Sequence, residues 1–212
     1  LGSLYPEMVH IVVRDDAKRR GVRALKGKKI ALGAEGSAVR ATLEAVLAAH
    51  GLQAGRDYEA IPTPFTASLP ALKAGTIDAA AQVIGIPATP LRDALTQAHL
   101  KLLPLDPAAV KTLAAQDNGL MPLEISAGTY PNQPEPVATI GTAALLLTTS
   151  ELTRDEALQV VRAVYQTGLD LLAAGSTQGA QVNVANARRG LTVPLHDGAE
   201  EGLAALENAK PR

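Results

Sequence analysis

Between Lys28 and about Gln116, short apolar runs alternate with stretches whose apolar residues recur at helical spacing, and no other feature restricts the fold as much. The apolar runs are 28–32, 58–61, 77–84 and 100–103, and a helical pattern follows each of them. Repeated strand–helix units of this kind are typical of a parallel sheet with right-handed crossovers. The sequence therefore predicts an α/β fold with one complete lobe built around a parallel-type sheet.

The segments on either side interrupt the alternation. A proline-rich loop occupies 128–136, and an apolar run at 137–148 suits a strand outside the first sheet. Thr153 and Glu156 then stand at the spacing of a capping box, which predicts the start of a long helix. These breaks indicate that the chain contributes to a second lobe.

The same breaks predict the domain boundaries. We expect residues 25–125 to form the complete lobe, and residues 1–24 and 126–212 to form part of the second, incomplete lobe. The chain would then cross between the lobes near 14–25 and 125–137.

Composition argues against nucleic-acid binding. Aromatic residues make up 2% of the chain, which leaves few stacking platforms for single strands. The formal net charge is -1 and no basic stripe is present, so duplex binding has no electrostatic support. The densest basic run, 18–29, is expected to be a solvated edge.

Residues for a metal site or a membrane anchor are also scarce. Cysteine is absent, and no two of the histidines stand at metal-ligand spacing, so neither a metal nor another cofactor is predicted. No run of roughly 18 apolar residues occurs, so no membrane-spanning segment is predicted. The chain opens without the pattern of a signal peptide, which we expect to be absent from this sequence.

Catalytic motifs are missing as well. The chain has no His-Glu-x-x-His zinc motif and no Gly-x-Ser-x-Gly nucleophile elbow. His10 alternates with Met8 and Val12 on one strand face, so it is expected to be a satisfied core or cleft residue. The sequence therefore predicts a protein that binds a ligand without transforming it, and an enzyme on the same architecture is one alternative.

Ligands of parallel α/β sheets bind at the edge formed by the carboxyl ends of the strands. The predicted turns at this edge are 33–37, 62–66, 85–89 and 104–106. Gly85 ends the most buried strand, where a glycine permits close approach to a ligand. Gly85 is therefore a candidate contact, although it could simply end the strand.

The first of these turns, 33–37, carries the strongest indication of a site. Gly36 lets the backbone approach a ligand, Ser37 offers a hydroxyl, and the amides from Ser37 to Val39 open a helix. These features predict an anion cradle in which a ligand carboxylate binds the amides of Ser37 and Ala38. An ordinary serine-capped turn is the alternative reading.

Several short motifs, in a fixed order along essentially the whole chain, resemble those of TAXI-type receptors of TRAP transporters. They are Leu4-Tyr5-Pro6-Glu7, Val9-His10-Ile11-Val12-Val13-Arg14, Gly33-Ala34-Glu35-Gly36-Ser37, Leu72-Lys73-Ala74-Gly75-Thr76-Ile77-Asp78-Ala79, Leu102-Leu103-Pro104-Leu105-Asp106, Ala127-Gly128-Thr129-Tyr130-Pro131 and Val193-Pro194-Leu195-His196. The resemblance implies a bilobal fold of the type II periplasmic binding proteins, with a ligand cleft at the hinge.

The resemblance also implies a function. It indicates a periplasmic receptor that captures a small carboxylate or an amino acid, such as glutamate or 2-oxoglutarate, for the membrane subunits of a TRAP-type secondary transporter. Tyr130, in the 127–131 motif, becomes a further candidate for ligand contact. A ligand-sensing domain of a regulator is the remaining alternative.

This sequence departs from the family pattern in two respects. After Gly-Ser the family's first turn usually continues with Gly-Thr, whereas this chain has Ala38 and Val39, so the cradle lacks a threonine hydroxyl. Arg40, which follows, is expected to pair with Glu44 along the helix rather than to meet an anion. The family also carries a substantial segment ahead of the Leu4 motif, and we expect that segment to be missing here.

Overall fold

The computed structural model describes residues 1–15, 21–116 and 119–209, so the basic residues 18–20 lie outside the described part of the chain. The strands are β1 (Gly2–Arg14), β2 (Lys29–Ala31), β3 (Glu59–Ile61), β4 (Ala79–Gly85), β5 (Leu100–Leu102), β6 (Met121–Ile125) and β7 (Val137–Leu146). The helices are α1 (Ala38–Ala49), α2 (Phe65–Ala74), α3 (Thr89–Gln97), α4 (Pro107–Ala114), α5 (Arg154–Gln166), α6 (Gly168–Ala173) and α7 (Asp197–Asn208), with 3₁₀ turns at Val22–Leu25 and Gly179–Gln181. None of these helices is long and apolar enough to cross a membrane.

The strands form one mixed sheet in the order β3-β2-β4-β1-β7-β6, and β5 pairs with β1 outside this path. β2 runs parallel to both β3 and β4, so that Ile30 lies opposite Ala60 on one side and Ala79 on the other. β5 runs antiparallel to β1, and β6 runs antiparallel to β7. The predicted α/β fold is confirmed.

The predicted parallel arrangement is correct for β2, β3 and β4, whereas β5 pairs with β1 and with none of these three strands. β5 is a three-residue strand whose partner is β1, with Val12 opposite Leu102. An apolar run predicts a buried strand, but it does not encode which strand it pairs with or in which direction. That information depends here on the N-terminal segment, which lies outside the repeating strand–helix units.

The chain divides into two compact units. Unit 1 contains Leu1–Glu7 and Thr142–Arg212, and unit 2 contains Met8–Gly141. The middle of the chain therefore forms one unit and its two ends contribute to the other. One unit boundary falls inside β1 and the other inside β7. Each of these strands therefore has residues in both units.

These boundaries differ from the predicted ones. Unit 2 is longer than the predicted lobe, 25–125, and the crossings do not lie near 14–25 and 125–137. The run predicted to form a strand outside the first sheet is β7, which belongs to the same sheet as β2. The proline-rich loop at 128–136 joins the antiparallel pair β6 and β7, so it is a hairpin connection and not a boundary.

Unit 2 buries aliphatic side chains in two clusters. α1 and α4 contribute Leu43 and Leu113 to one cluster, while α2 and α3 contribute Leu72 and Leu91 to the other. In β4, the successive alanines at 79–81 alternate between the two clusters, as expected for a strand that is buried on both faces. Helices therefore cover both faces of this part of the sheet, and the loops at the strand ends carry the accessible backbone.

Unit 1 has its own core, formed mainly by α5 and α7. Val161, Tyr165 and Leu203 are buried there. The predicted capping box is confirmed: the Thr153 side chain accepts from the Glu156 amide, and the Glu156 side chain accepts from the Thr153 amide. These reciprocal bonds satisfy two amides that a helix start would otherwise leave open.

Candidate functional site

The turn 33–37, called the first turn below, connects β2 to α1 and has a backbone that requires glycine. Gly33 has φ of +83° and Gly36 has φ of +73°, values that other residues adopt at a cost. A Cβ built on Gly36 would meet no other atom within 4 Å. The turn therefore leaves open space beside the N-terminus of α1, as the predicted cradle requires.

Ser37 is the N-cap of α1, and this role occupies most of its hydrogen-bonding capacity. Its hydroxyl donates to the Ala34 carbonyl oxygen at 2.8 Å and accepts from the Arg40 amide at 3.2 Å. Its own amide also donates to the Ala34 carbonyl, at 3.3 Å. The predicted cradle on Ser37 and Ala38 therefore needs correction, because both Ser37 donors are already directed at the protein.

The donors that stay available are one residue further along. No protein acceptor among the described residues is bonded to the amides of Ala38 and Val39. Both belong to the first turn of a helix of 12 residues, whose N-terminal end carries partial positive charge. The structure thus offers an amide pair at Ala38 and Val39, with Ser37 as the cap that holds it.

Arg40 is the nearest cation, but two carboxylates neutralise it. Its Nε lies 2.8 Å from Glu44 Oε1, and its Nη1 lies 3.5 Å from Glu35 Oε1. The hydrogen bond to Glu44 raises the pKa of Arg40 above its ordinary value. The expected Arg40–Glu44 pair is present, and Arg40 Nη1 is buried without a hydrogen-bond acceptor among the described residues.

Three of the four predicted turns lie at one edge of the sheet. Because β2, β3 and β4 are mutually parallel, the first turn and the segments 62–64 and 85–88 all follow carboxyl ends at that edge. Gly85 is the last residue of β4 and is buried. α2 and α3 begin after these segments, and neither helix start has a side-chain cap.

The fourth turn, 104–106, lies elsewhere. The Asp106 amide donates to His50 Nε2 at 3.0 Å, and His50 is the residue that ends α1. A helix of 12 residues is about 18 Å long, so Asp106 lies roughly that distance from Ser37. The prediction that this turn joins the binding edge is wrong, because Asp106 lies beside the C-terminal end of α1 whereas the first turn lies at its N-terminal end.

Tyr130 lies inside unit 2 and not at its surface. It is 2% exposed, and its hydroxyl contacts both His10 Nε2, at 2.8 Å, and the Ala88 amide, at 3.0 Å. Burial raises the pKa of Tyr130 to about 12. A direct contact with a ligand thus has no support from its position, and its neighbours indicate an internal role.

His10 is a buried and fully bonded histidine, as the sequence favoured. It is 1% exposed, its Nδ1 lies 2.9 Å from the Met8 carbonyl oxygen, and its ring meets that of Tyr130 edge to face. Burial lowers the pKa of His10 to about 4. A ring that is neutral and bonded at both nitrogens has no free base for catalysis.

No group of three or more His, Cys, Asp or Glu side chains within 1–15, 21–116 and 119–209 could hold a metal ion. A surface cavity of about 560 Å³ lies at the far end of α3, where Leu95, His99, Lys101 and Asn132 line it. It is wide enough for a small molecule, but none of the predicted site residues lines it. We therefore place the candidate site at the available amides of Ala38 and Val39 and not in this cavity.

The sequence alone did not reveal the link between Tyr130 and Ala88. The two residues are 42 positions apart, and Tyr130 and His10 are 120 positions apart. No local pattern joins residues at such separations. The only sequence indication was that His10 and Tyr130 each lie in one of the motifs that resemble TAXI-type receptors.

The chain is similar to several solved binding proteins. It shares 18% identity with the periplasmic aliphatic sulphonate binding protein SsuA from Escherichia coli, with a TM-score of 0.47 over 98% of this chain and 56% of that chain. For the alkanesulfonate-binding protein SsuA from Xanthomonas axonopodis pv. citri bound to MOPS, the identity is 22% and the TM-score 0.44, over 95% and 58% of the two chains. For substrate binding domain 2 of GlnP from Lactococcus lactis, the identity is 15% and the TM-score 0.35, over 66% and 46%. This chain spans about half the length of these structures.

A protein-family model also matches nearly the whole chain. The model of the NMT1-like family covers residues 1–202, a range that contains the first turn, Gly85 and Tyr130. The chain belongs to the NMT1-like family.

Proposed function

We propose that this chain is the ligand-binding part of an extracytoplasmic solute-binding protein. It captures a small organic anion, a carboxylate or an amino acid such as glutamate or 2-oxoglutarate, for a TRAP-type secondary transporter. The observation that carries the proposal is the first turn. There, a glycine backbone leaves open space beside the unpaired amides of Ala38 and Val39.

Two effects stabilise an anion in this position. The N-terminal end of α1 contributes about 0.3–1 kcal/mol where it is exposed. Each charge-assisted hydrogen bond from an amide adds roughly 1.5–3 kcal/mol. Two such bonds and the helix end together give on the order of 3–7 kcal/mol, which corresponds to dissociation constants from several millimolar to about ten micromolar.

Tighter binding needs contacts with the rest of the ligand. The segment 85–88 follows β4 at the same edge of the sheet as the first turn, and Gly85 brings its backbone into that edge without a side chain. We therefore retain Gly85 as a contact for the body of the ligand. The Tyr130 hydroxyl supports this segment from inside unit 2 by accepting from the Ala88 amide.

The proposed role is binding without catalysis. The proton of the Ser37 hydroxyl is bonded to a carbonyl oxygen, and no base is bonded to that hydroxyl among the described residues. A serine held in this way is a cap and a hydrogen-bonding group, not an activated nucleophile. Glycine, alanine and valine supply the other groups of the first turn and of α1's start.

The remaining parts of the proposal rest on the motif resemblance. They are the bilobal fold with one lobe complete in this chain, the location in the periplasm, and the membrane subunits of a TRAP transporter as partners. The order of the motifs along the whole chain supports them.

The test exploits two glycines with matched backbones. Gly36 has φ of +73° and Gly55 has φ of +74°, and a Cβ at either position would meet no atom within 4 Å. Asparagine tolerates positive φ, so Gly36→Asn and Gly55→Asn impose the same small backbone cost. Only Gly36→Asn places a side chain in the proposed cradle.

Calorimetric titration with glutamate and with 2-oxoglutarate measures the effect. We expect the parent and Gly55→Asn to bind one of these anions with equal affinity, and Gly36→Asn to lose at least about tenfold, since it blocks a charge-assisted bond. Gly36→Asn binding the anion as tightly as the parent would show that the first turn is only a capped turn.

A further inference from the structure

Three segments that are distant in sequence meet at the hydroxyl of Tyr130. They are β1, through His10; the segment that ends β4 and begins α3, through Ala88; and the β6–β7 loop, which carries Tyr130 itself. Every one of these groups lies in unit 2, and both His10 and Tyr130 are almost completely buried.

The direction of each hydrogen bond follows from what each group can donate. The Met8 carbonyl can only accept, so His10 Nδ1 carries the proton. The Ala88 amide can only donate, so the Tyr130 oxygen accepts from it at 3.0 Å. The Tyr130 proton then points to His10 Nε2, 2.8 Å away, which is unprotonated and accepts.

The loop that carries Tyr130 is itself firmly held. Gln133 accepts from the Tyr130 amide through its side-chain oxygen, at 3.2 Å. The Gln133 side-chain nitrogen donates to the carbonyl oxygens of Ser126, at 3.1 Å, and Glu135, at 2.8 Å. Tyr130 therefore projects from a fixed base, and its hydroxyl can fix the Ala88 amide in turn.

We propose that Tyr130 is a positioning residue for the binding edge: oriented by His10, it holds the segment 85–88 in place and does not touch the ligand. This rests on the function proposed above, because Gly85 is a ligand contact only if the edge of the sheet is the site. Ala88 is the N-cap of α3 and has no side-chain cap of its own. The Tyr130 hydroxyl thus supplies from a distant loop the hydrogen bond that fixes this helix start.

Tyr130→Phe tests the proposal, with Tyr165→Phe as the matched control. Tyr165 is also a buried tyrosine, and its hydroxyl donates to a single carbonyl, that of Ser3, in unit 1. Each substitution removes one buried hydroxyl: Tyr130→Phe loses the bonds to His10 and from Ala88, and Tyr165→Phe loses the bond to Ser3. We expect the Ala88 amide to exchange with solvent about tenfold faster in Tyr130→Phe, as the loss of one hydrogen bond implies, and to be unchanged in Tyr165→Phe.

Two measurements complete the test. In the parent protein, ¹⁵N resonances of the His10 ring should show a protonated Nδ1 and an unprotonated Nε2, an observation that needs no variant to fold. The affinity for glutamate or 2-oxoglutarate, whichever the parent binds, should fall several-fold in Tyr130→Phe and not in Tyr165→Phe.

The outcomes separate the two proposals. Unchanged exchange at Ala88 in Tyr130→Phe, or a protonated Nε2 on His10 in the parent, would overturn the positioning role whatever the protein binds. Faster exchange at Ala88 in a protein whose parent binds neither anion would support the positioning of 85–88 and count against the proposed ligand class. Faster exchange with unchanged affinity would show that this segment is no part of the site.

Discussion

At the scale of single residues, His10 ties the stability of unit 2 to pH. Burial lowers its pKa from 6.5 to about 4, and His50, which is also buried, has its pKa lowered for the same reason. A depressed histidine pKa means that the unfolded chain binds more protons between these values. The stabilisation is therefore complete above about pH 6.5 and is lost as the pH falls toward 4.

This gives a prediction for acid unfolding. The gap between the two pKa values of His10 corresponds to on the order of 3 kcal/mol lost by pH 4. Urea unfolding measured at several pH values should show this decrease in the free energy of unfolding. The decrease with pH should be smaller in His10→Gln, which keeps an acceptor for the Tyr130 hydroxyl. His99→Gln is the control, because His99 is exposed. An equal slope in the parent and in His10→Gln would refute the assignment.

The residues of the first turn could be predicted because their properties are local. A glycine pair after a short apolar run indicates positive φ, and a serine before a helical pattern indicates a cap, and both are present. What the pattern could not show is that the Ser37 hydroxyl and amide share the Ala34 carbonyl as their acceptor. That depends on the exact path of the turn, and it moves the available amides to Ala38 and Val39.

At the scale of elements, local signals predicted helices and strands better than their partners. The capping box of α5 and the parallel strands β2, β3 and β4 follow from periodicity and end signals. α7 was harder to predict, because two of its residues are glycines, which disfavour a helix by roughly 1 kcal/mol each. Its existence depends on packing against α5, a contact between elements far apart in the sequence.

The two glycines of α7 provide a graded prediction for this packing. A Cβ on Gly198 would collide with the backbone of Arg154, whereas a Cβ on Gly202 would lie 3.1 Å from a methyl group of Val161. Alanine has a higher helix propensity than glycine, an advantage that applies most fully at Gly202, inside the helix. We therefore expect Gly198→Ala to lower the free energy of unfolding by about 1–3 kcal/mol. Gly202→Ala should have a smaller effect, because its contacts, the Val161 methyl and the Leu158 carbonyl oxygen at 3.3 Å, need to shift by only a few tenths of an ångström.

Urea unfolding of both variants, monitored by circular dichroism, would measure the difference. Equal stability of Gly198→Ala and Gly202→Ala would contradict the close approach of α7 to Arg154. A stabilised Gly202→Ala is compatible with it, since propensity then outweighs a few tenths of an ångström of adjustment.

At the scale of the molecule, the alternation of strands and helices identified the unit but not its limits. Its centre was predicted because the strand–helix units are consecutive in the chain. Its edges were missed because β1 and β7 are long strands, of 13 and 10 residues, that pass from one unit into the other. A continuous strand contains no turn signal at the point where the unit changes, so composition placed the boundaries at the nearest loops.

The proposed function predicts that ligand stabilises the whole chain by mass action. At a concentration of about 100 times Kd, an anion that binds only the folded state adds about 2.7 kcal/mol. For a chain of this size, that raises Tm by roughly 5–10 °C. All the residues of the proposed cradle belong to unit 2, so if the two units melt separately, the transition of unit 2 should move.

Calorimetric scans with glutarate and with its neutral diamide, glutaramide, separate charge recognition from solvent effects. Glutarate should raise the Tm of the parent and of Gly55→Asn, and it should not raise that of Gly36→Asn. An equal rise with glutaramide would mean that the first turn does not recognise the negative charge.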